Sequence, residues 1–190
     1  MQEERNNDTR INKITHYLNK STSGISKLRE NTSKIIEIYE LLKNNPNNHV
    51  FVVGNGGSSS AASHMVNDLL IHGKVKLTCL SDNVPTITAI ANDESYDNIF
   101  SNQLEVLANP NDILIVFSGS GNSRNILTAI DAAILKKMRI IAFVGTNGGK
   151  VIKDYKDKIT ILVHIPIPMS NYEDSQVVFI HILMDLFTNR

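Results

Sequence analysis

A short apolar run, a glycine-rich turn and a helical segment, in that order, most restrict how this chain can fold. Val50–Val53 is a continuous apolar run, as expected for a strand buried on both faces of a parallel sheet. The segment Gly54-Asn55-Gly56-Gly57-Ser58 supplies a tight turn, and a helix is predicted from about Ser58. Because the first turn of a helix has free N–H groups and the positive end of the helix dipole, this turn is suited to a phosphate.

The same order of strand, small-residue turn and helix recurs later in the chain. Residues 113–117 are apolar, residues 118–123 read Ser-Gly-Ser-Gly-Asn-Ser, and a helix is predicted over residues 124–137. Other strands are predicted at residues 74–80, 139–144 and 159–165. Strands that alternate with helices indicate an α/β fold with a parallel sheet covered on both faces. Since ligands of such folds collect at the carboxyl ends of strands, both turns are expected to reach one crevice.

The segment before the first strand is predicted to be helical. Residues 1–8 are polar and are expected to be disordered, whereas residues 9–44 carry apolar side chains at helical spacing. We predict two helices there, with a break near residues 21–24, where serine, threonine and glycine cluster. Their apolar faces are expected to cover the sheet edge or, as we prefer, to pack on another subunit. Further helices are predicted at residues 84–91, 98–107, 150–155 and 171–187.

Composition argues against several classes of function. The chain has 19 basic and 19 acidic residues, so net charge gives no case for nucleic-acid or membrane binding. No apolar run is long enough to span a bilayer, and the first residues do not have the apolar core of a signal peptide. The single cysteine, Cys79, fits a reducing compartment. We therefore expect a cytoplasmic protein without nucleic-acid or membrane partners.

Hydroxyl groups cluster at the two turns. Ser118, Ser120 and Ser123 lie in the second turn, and Ser58 lies in the first. Hydroxyls and backbone N–H groups with few cations are typical of a site that binds a phosphate monoester. Either turn alone could be an ordinary capped connection between strand and helix, but two such turns in one domain favour phosphate binding. The glycine patterns of nucleoside triphosphatases and of dinucleotide-binding folds are missing.

Ionisable side chains follow on two of the predicted helices. His64 and Asp68 are four residues apart on one helix face, where they could form a surface ion pair, half of a metal site or an acid–base pair. The last helix carries His181 among apolar residues, with Glu173 near its start. A single histidine on an apolar helix is more often a core or interface residue. The combination of two helices that each carry a histidine and a carboxylate nevertheless favours a site.

The order of these motifs resembles the phosphoheptose isomerases, which are single sugar-isomerase (SIS) domain proteins. Besides the two turns, the resemblance rests on His64, on Asn92-Asp93, on the glycines of residues 145–149 and on residues 180–183, and it covers about residues 10–188. It implies a three-layer α-β-α sandwich with a five-stranded parallel sheet, preceded by the N-terminal helices. Residues 9–190 would then be one SIS domain, in a homotetramer with its sites at subunit interfaces.

The resemblance also implies an activity and roles for individual residues. The reaction would convert sedoheptulose 7-phosphate to D-glycero-D-manno-heptose 7-phosphate through an enediol, for lipopolysaccharide or capsule synthesis. Asp68 would be the base and His181 the acid. The implied substrate-binding residues are Asn55, Ser58, Asp93, Ser118, Ser120, Ser123 and Glu173. Some members bind zinc, and the matching positions here are His64, Asp68, Glu173 and His181.

The sequence departs from the family pattern mainly around the reacting carbons. At the position of the base, Asp68 replaces a glutamate, which retracts the carboxylate by one methylene. Further departures are Asn67, His72, Gly119, Ser170 and Glu173, where the family has glutamate, arginine, threonine, aspartate and glutamine. Two alternatives to a phosphoheptose isomerase therefore stay open. One is an isomerase of another sugar phosphate, and the other is a non-catalytic SIS-domain protein that binds a sugar phosphate or docks on a partner.

Overall fold

A five-stranded parallel sheet forms the centre of the protein, in a computed structural model that describes residues 2–188, with side chains from Asp8 onward. The strands are β1 (Val50–Val53), β2 (Leu77–Cys79), β3 (Ile113–Ser118), β4 (Arg139–Val144) and β5 (Ile161–His164). Their order across the sheet is β2-β1-β3-β4-β5, and each neighbouring pair is parallel. The predicted α/β class with a five-stranded parallel sheet is confirmed.

Helices cover both faces of this sheet. They are α1 (Gln2–Glu30), α2 (Thr32–Lys43), α3 (Gly57–Ile71), α4 (Val84–Asp93), α5 (Ser101–Leu107), α6 (Arg124–Leu135), α7 (Gly149–Tyr155) and α8 (Met169–Thr188). Successive strand side chains point to opposite faces, so Ile115 packs with α2, α3 and α8 while Val116 packs with α5 and α6. The result is the expected three-layer sandwich. None of the described helices is both long and apolar enough to cross a membrane.

The crossover connections place the two turns side by side. From β1 the chain passes to β2 at the sheet edge and then returns to β3, on the other side of β1. Helix α3 leaves β1 toward one face, and α6 leaves β3 toward the opposite face. The strand order therefore reverses at the β1–β3 pair, which opens a crevice at the carboxyl ends of these strands. Both turns predicted to bind phosphate lie at this crevice.

The structure corrects the predicted break between the first two helices. Helix α1 continues through residues 21–24, and the break comes at Asn31 instead. Gly24 is buried at the contact with α8, where an added methyl group would collide with Ile167 and Ser175. A glycine at this position permits close packing between the helices and does not form a turn. Residues 2–8, where disorder was expected, also belong to α1, because glutamate, glutamine and arginine are good helix formers. Met1 lies outside the described residues.

Helix α1 is attached to the start of α8 by polar contacts. Tyr17 and Ser21 both donate hydrogen bonds to Asp174 Oδ2, over 3.0 and 2.6 Å. Apolar side chains elsewhere on α1 stay uncovered within this chain, since Ile14 is 60% exposed and Leu18 is 58% exposed. Whether another subunit covers them, as the sequence suggested, remains a prediction.

Other element bounds shift by a few residues. Strand β2 begins at Leu77 rather than at residue 74, because Lys74 has a φ of 54°, which a strand does not accommodate. Helix α5 begins at Ser101, after a single 3-10 turn at Tyr96–Asn98. Strand β4 has the bounds that its apolar run predicted.

Candidate active site

The four predicted phosphate-binding serines line one small cavity. Ser58 lies in the first turn of α3, Ser118 ends β3, and Ser123 is the N-cap residue of α6. The cavity has a volume of about 70 Å³. Its lining residues are Asn55, Ser58, Phe117, Ser118, Gly119, Ser120, Ser123, Met169 and Glu173. The structure thus brings both turns, and the N-termini of two helices, to the same point.

Three of these four serines accept a hydrogen bond through Oγ, which leaves the hydroxyl proton available to a ligand. Ser58 Oγ accepts from Gln176 Nε2 at 3.0 Å, and Ser118 Oγ accepts from the Gly121 N–H at 3.1 Å. Ser120 Oγ accepts from the Asn122 N–H at 3.2 Å. Among the described residues none of the three hydroxyls has an acceptor for its own proton. A hydroxyl that already accepts from the protein can donate to an anion, so the cavity has the donors that a phosphate requires.

A cluster of two histidines and a carboxylate lies further along α3. The Nε2 atoms of His64 and His181 are 3.0 Å apart, and they lie 3.4 and 4.0 Å from Asp68 Oδ2. Asp68 is buried, and its other oxygen accepts from Asn67 Nδ2 at 3.1 Å. These three ligand atoms all lie within 4.8 Å of one another, so the cluster could hold a metal ion. The structure therefore brings His181 of α8 next to His64 and Asp68 of α3, which the sequence placed on a different helix.

Glu173 is not part of that cluster. Its carboxylate lies against Gly57 at the start of α3, where an added methyl group would collide with it. Glu173 lines the serine cavity and also a neighbouring cavity of about 330 Å³, which His64 lines as well. Glu173 is therefore located between the serines and the histidines, although sequence reasoning also placed it among the metal ligands.

Two of the expected sugar-lining residues differ in their placement. Asn55 lines the serine cavity, and its role in binding the sugar stays a prediction. Asp93 is exposed at the end of α4, where it accepts a hydrogen bond from Asn92, and it does not line that cavity.

Sequence reasoning missed several residues that line the site or form hydrogen bonds to its two turns. Tyr172 and Gln176 are fully buried on α8 and bond to the two turns, while Met169 lines the serine cavity. Asn125, in the first turn of α6, pairs with Asn55. The sequence contains only a weak signal for Tyr172 and Gln176. They are two polar residues four positions apart on an apolar helix, and their contribution to the site becomes clear only when the residues that they contact are known.

The family follows from comparison with known proteins. A model of the SIS domain family matches residues 16–145, so the chain belongs to this family. It is 42% identical over 109 residues to the phosphoheptose isomerase of Alteromonas mediterranea, a match that covers 55% of each chain. The chain spans about half the length of the curated relatives it matches.

Solved structures match over nearly the whole chain. A phosphoheptose isomerase from Francisella tularensis has a TM-score of 0.87 at 29% identity, covering 95% of this chain and 98% of that one. The phosphoheptose isomerase of Neisseria gonorrhoeae has a TM-score of 0.86 at 26% identity, covering 96% of this chain and 100% of that one. The expected membership of the SIS domain family is thus confirmed, and the chain is similar to phosphoheptose isomerases.

Proposed function

We propose that this chain is a sugar-phosphate isomerase that converts sedoheptulose 7-phosphate to D-glycero-D-manno-heptose 7-phosphate. The observation that carries the proposal is the arrangement along α3, which begins at the serine cavity and continues to the His64–Asp68–His181 cluster. The similarity to phosphoheptose isomerases supports the same reaction. We also take residues 9–190 as one domain.

The separation between the two ends of the site favours a long substrate. Asp68 follows Ser58 by ten residues, which is about 15 Å along a helix axis. Helical side chains tilt toward the N-terminus, so the Asp68 carboxylate reaches back toward the serines. An open-chain seven-carbon sugar could then place its phosphate among the serines and its carbonyl end near Asp68. Phosphate binding energy would fix the reacting carbons against the base.

In the reaction, Asp68 acts as the base and His181 as the acid. The carboxylate removes a proton from C1 of the ketose, and the electron pair forms the C1–C2 double bond of an enediol. The C2 carbonyl oxygen takes a proton from His181 in the same step. The proton held by Asp68 then returns to C2, while the C1 hydroxyl gives its proton back to His181 and becomes the aldehyde oxygen. The number of protons is conserved, and both groups return to their starting states.

The cluster has the donor types of a zinc site. Two imidazole nitrogens and a carboxylate oxygen are common zinc ligands, and tetrahedral ligand atoms lie about 3.3 Å apart around zinc. The separations of 3.0, 3.4 and 4.0 Å fit that arrangement. We infer that His64, Asp68 and His181 hold the ion, with Glu173 as a fourth ligand if it leaves Gly57. The proton transfers assigned to Asp68 and His181 belong to the metal-free site, whereas zinc bound there would use their lone pairs and would instead polarise the substrate carbonyl as a Lewis acid.

The proposal also includes the oligomeric state of the protein and its location in the cell. The exposed apolar residues of α1, which include Ile11, Ile14 and Leu18, suit packing against another copy of the chain. We infer a cytoplasmic homotetramer with its sites near subunit interfaces, which supplies heptose for lipopolysaccharide or capsule.

The decisive experiment incubates the purified protein with sedoheptulose 7-phosphate, with and without zinc, and follows the aldose by NMR. We expect Asp68→Asn to lower kcat by at least about 100-fold, because it removes the general base. Asp185→Asn, at an exposed position on α8, is the matched control and should behave as wild type. Full turnover by Asp68→Asn would refute the assignment of the base.

A non-catalytic sugar-phosphate-binding protein is the second candidate. The observation that favours it is that all four serines line the cavity while Asp93 lies outside it. Deuterium exchange from solvent into the carbons of bound sedoheptulose 7-phosphate separates the two functions. Exchange without net product indicates slow catalysis, whereas binding without exchange supports the binding protein.

A further inference from the structure

Two buried polar side chains on α8 form hydrogen bonds to the two turns of the proposed phosphate site. Tyr172 and Gln176 are four residues apart on one face of the helix, and both are fully buried. Phe179 and Ile180, the next buried residues of this helix, are apolar. Neither polar residue takes part in the reaction steps described above.

Gln176 bonds to the first turn. Its Nε2 donates to Ser58 Oγ at 3.0 Å, while its Oε1 has no hydrogen-bond partner among the described residues. A buried carbonyl without a partner lowers stability, so packing alone would favour an apolar side chain at this position. Besides its interaction with the neighbouring Tyr172 hydroxyl on α8, the bond to Ser58 is the one hydrogen bond recorded for the Gln176 amide among the described residues, and Ser58 lines the phosphate cavity.

Tyr172 bonds to the second turn. Its hydroxyl accepts from the Ser118 N–H at 3.1 Å and donates to the Phe143 carbonyl oxygen. This bridge fixes the last residue of β3 against β4. Ser118 Oγ, which lines the cavity, is thereby held at one position relative to Ser58.

We propose that Gln176 and Tyr172 are positioning residues for the phosphate site. Gln176 occupies a lone pair of Ser58 Oγ and so directs the Ser58 hydroxyl proton into the cavity. Tyr172 sets the position of Ser118 on the opposite side. This inference rests on the proposed phosphate site, but it concerns binding and does not require turnover.

The test compares the wild type with Gln176→Met, because methionine has the same length as glutamine and no amide. Calorimetric titration with inorganic phosphate gives Kd, and urea unfolding gives stability. We expect Kd to rise about tenfold, as for the loss of one oriented donor to an anion, while stability stays unchanged or increases. With sedoheptulose 7-phosphate, KM should rise and kcat should stay the same. A residue that only supported the fold would lower stability and leave Kd unchanged.

A double-mutant cycle identifies Ser58 as the residue through which Gln176 acts. In a Ser58→Ala background, Gln176→Met should have no further effect on the phosphate Kd. An equal effect in both backgrounds, or an unchanged Kd in the single variant, would overturn the positioning role. If the wild type itself does not bind inorganic phosphate, the proposed phosphate site fails, and the positioning role fails with it.

Discussion

Asn55 and Asn125 exchange two side-chain hydrogen bonds, of 2.9 and 2.8 Å, between the first turn and the first residues of α6. Asn125 is 2% exposed, and Asn55 also accepts from the Tyr96 hydroxyl at 3.2 Å. The pair joins the two halves of the crevice across the β1–β3 boundary. It also fixes the orientation of the one amide side chain that lines the serine cavity.

We expect Asn125→Asp to weaken substrate binding. The substitution replaces the Nδ2 donor with an oxygen that faces Asn55 Oδ1, so one hydrogen bond becomes a repulsion between two acceptors. The free energy of unfolding should fall by about 1–3 kcal/mol, and KM should rise. Urea unfolding and steady-state kinetics measure the two effects. Asn12→Asp, at an exposed position of α1, should change neither, and a wild-type KM in Asn125→Asp would contradict the proposed role of the pair.

Glu173→Gln is expected to strengthen phosphate binding. The Glu173 carboxylate lines the same cavity as the four serines, so its negative charge opposes an incoming phosphate. Removal of that charge is worth about 1 kcal/mol for groups a few ångströms apart in a solvated site, which corresponds to about a fivefold lower Kd. Calorimetric titration with inorganic phosphate provides the measurement, and Glu105→Gln, at an exposed position of α5, is the control. Weaker phosphate binding in Glu173→Gln would instead identify Glu173 as a group that binds the ligand.

Zinc is expected to raise the Tm of the wild type and not that of His181→Gln. A ligand that binds only the folded state stabilises it by about 2.7 kcal/mol at one hundred times its Kd. His181→Gln removes one of the three ligand atoms of the cluster, whereas His16→Gln changes an exposed histidine on α1 and should retain the shift. Equal shifts in both variants would place the zinc elsewhere on the protein.

Alkaline pH is expected to destabilise the fold through the buried Tyr172 and the partly buried Tyr155. Burial raises the pKa of Tyr172 well above its usual value, although the Gln176 side chain and the Ser118 N–H act in the opposite direction. Burial and then the bond to Asp131 raise the pKa of Tyr155 to about 12. Because the unfolded tyrosines ionise near pH 10 while the folded ones stay protonated, stability is fully present below pH 10 and falls above it.

The contribution of Tyr172 to this alkaline loss can be measured directly. One such group lowers the free energy of unfolding by up to about 1.4 kcal/mol for each pH unit above 10. Tyr172→Phe should reduce that slope, as measured by urea unfolding between pH 8 and 11.5, values chosen to bracket the titration. It should also cost about 1–3 kcal/mol at neutral pH, since Ser118 and Phe143 lose their partner. An unchanged slope would show that Tyr172 ionises normally.

Gly24→Ala should destabilise the protein, although alanine favours helices by about 1 kcal/mol over glycine. The added methyl group would collide with Ile167 and Ser175 and push α1 away from α8. Overpacking of this kind typically costs about 1–3 kcal/mol. Thermal and urea unfolding give the measurement, with Asn19→Ala at an exposed position of the same helix as control. A more stable Gly24→Ala variant would show that the contact between the helices is loose.

Features encoded by neighbouring residues were predictable from the sequence. The apolar runs before the two turns predicted β1 and β3, and the position of both turns at the ends of parallel strands predicted that they share a crevice. Features that depend on distant contacts were not predictable. The packing of Gly24 requires Ile167 and Ser175, and the position of Glu173 against Gly57 depends on how α8 lies over α3. Tyr172 and Gln176 likewise acquire a role only when α8 packs behind the turns.

Helix α8 is made after all five strands, yet it carries Glu173, Gln176 and His181. During synthesis all five strands and both serine turns are made before these residues are added. Such a nascent chain would contain most of the proposed phosphate donors but neither Gln176, which bonds to Ser58, nor His181, the proposed acid. Its first helix would also lack the surface on which Tyr17 and Gly24 pack. The order of synthesis therefore delays both the completion of the proposed site and the packing of α1 until α8 has been made.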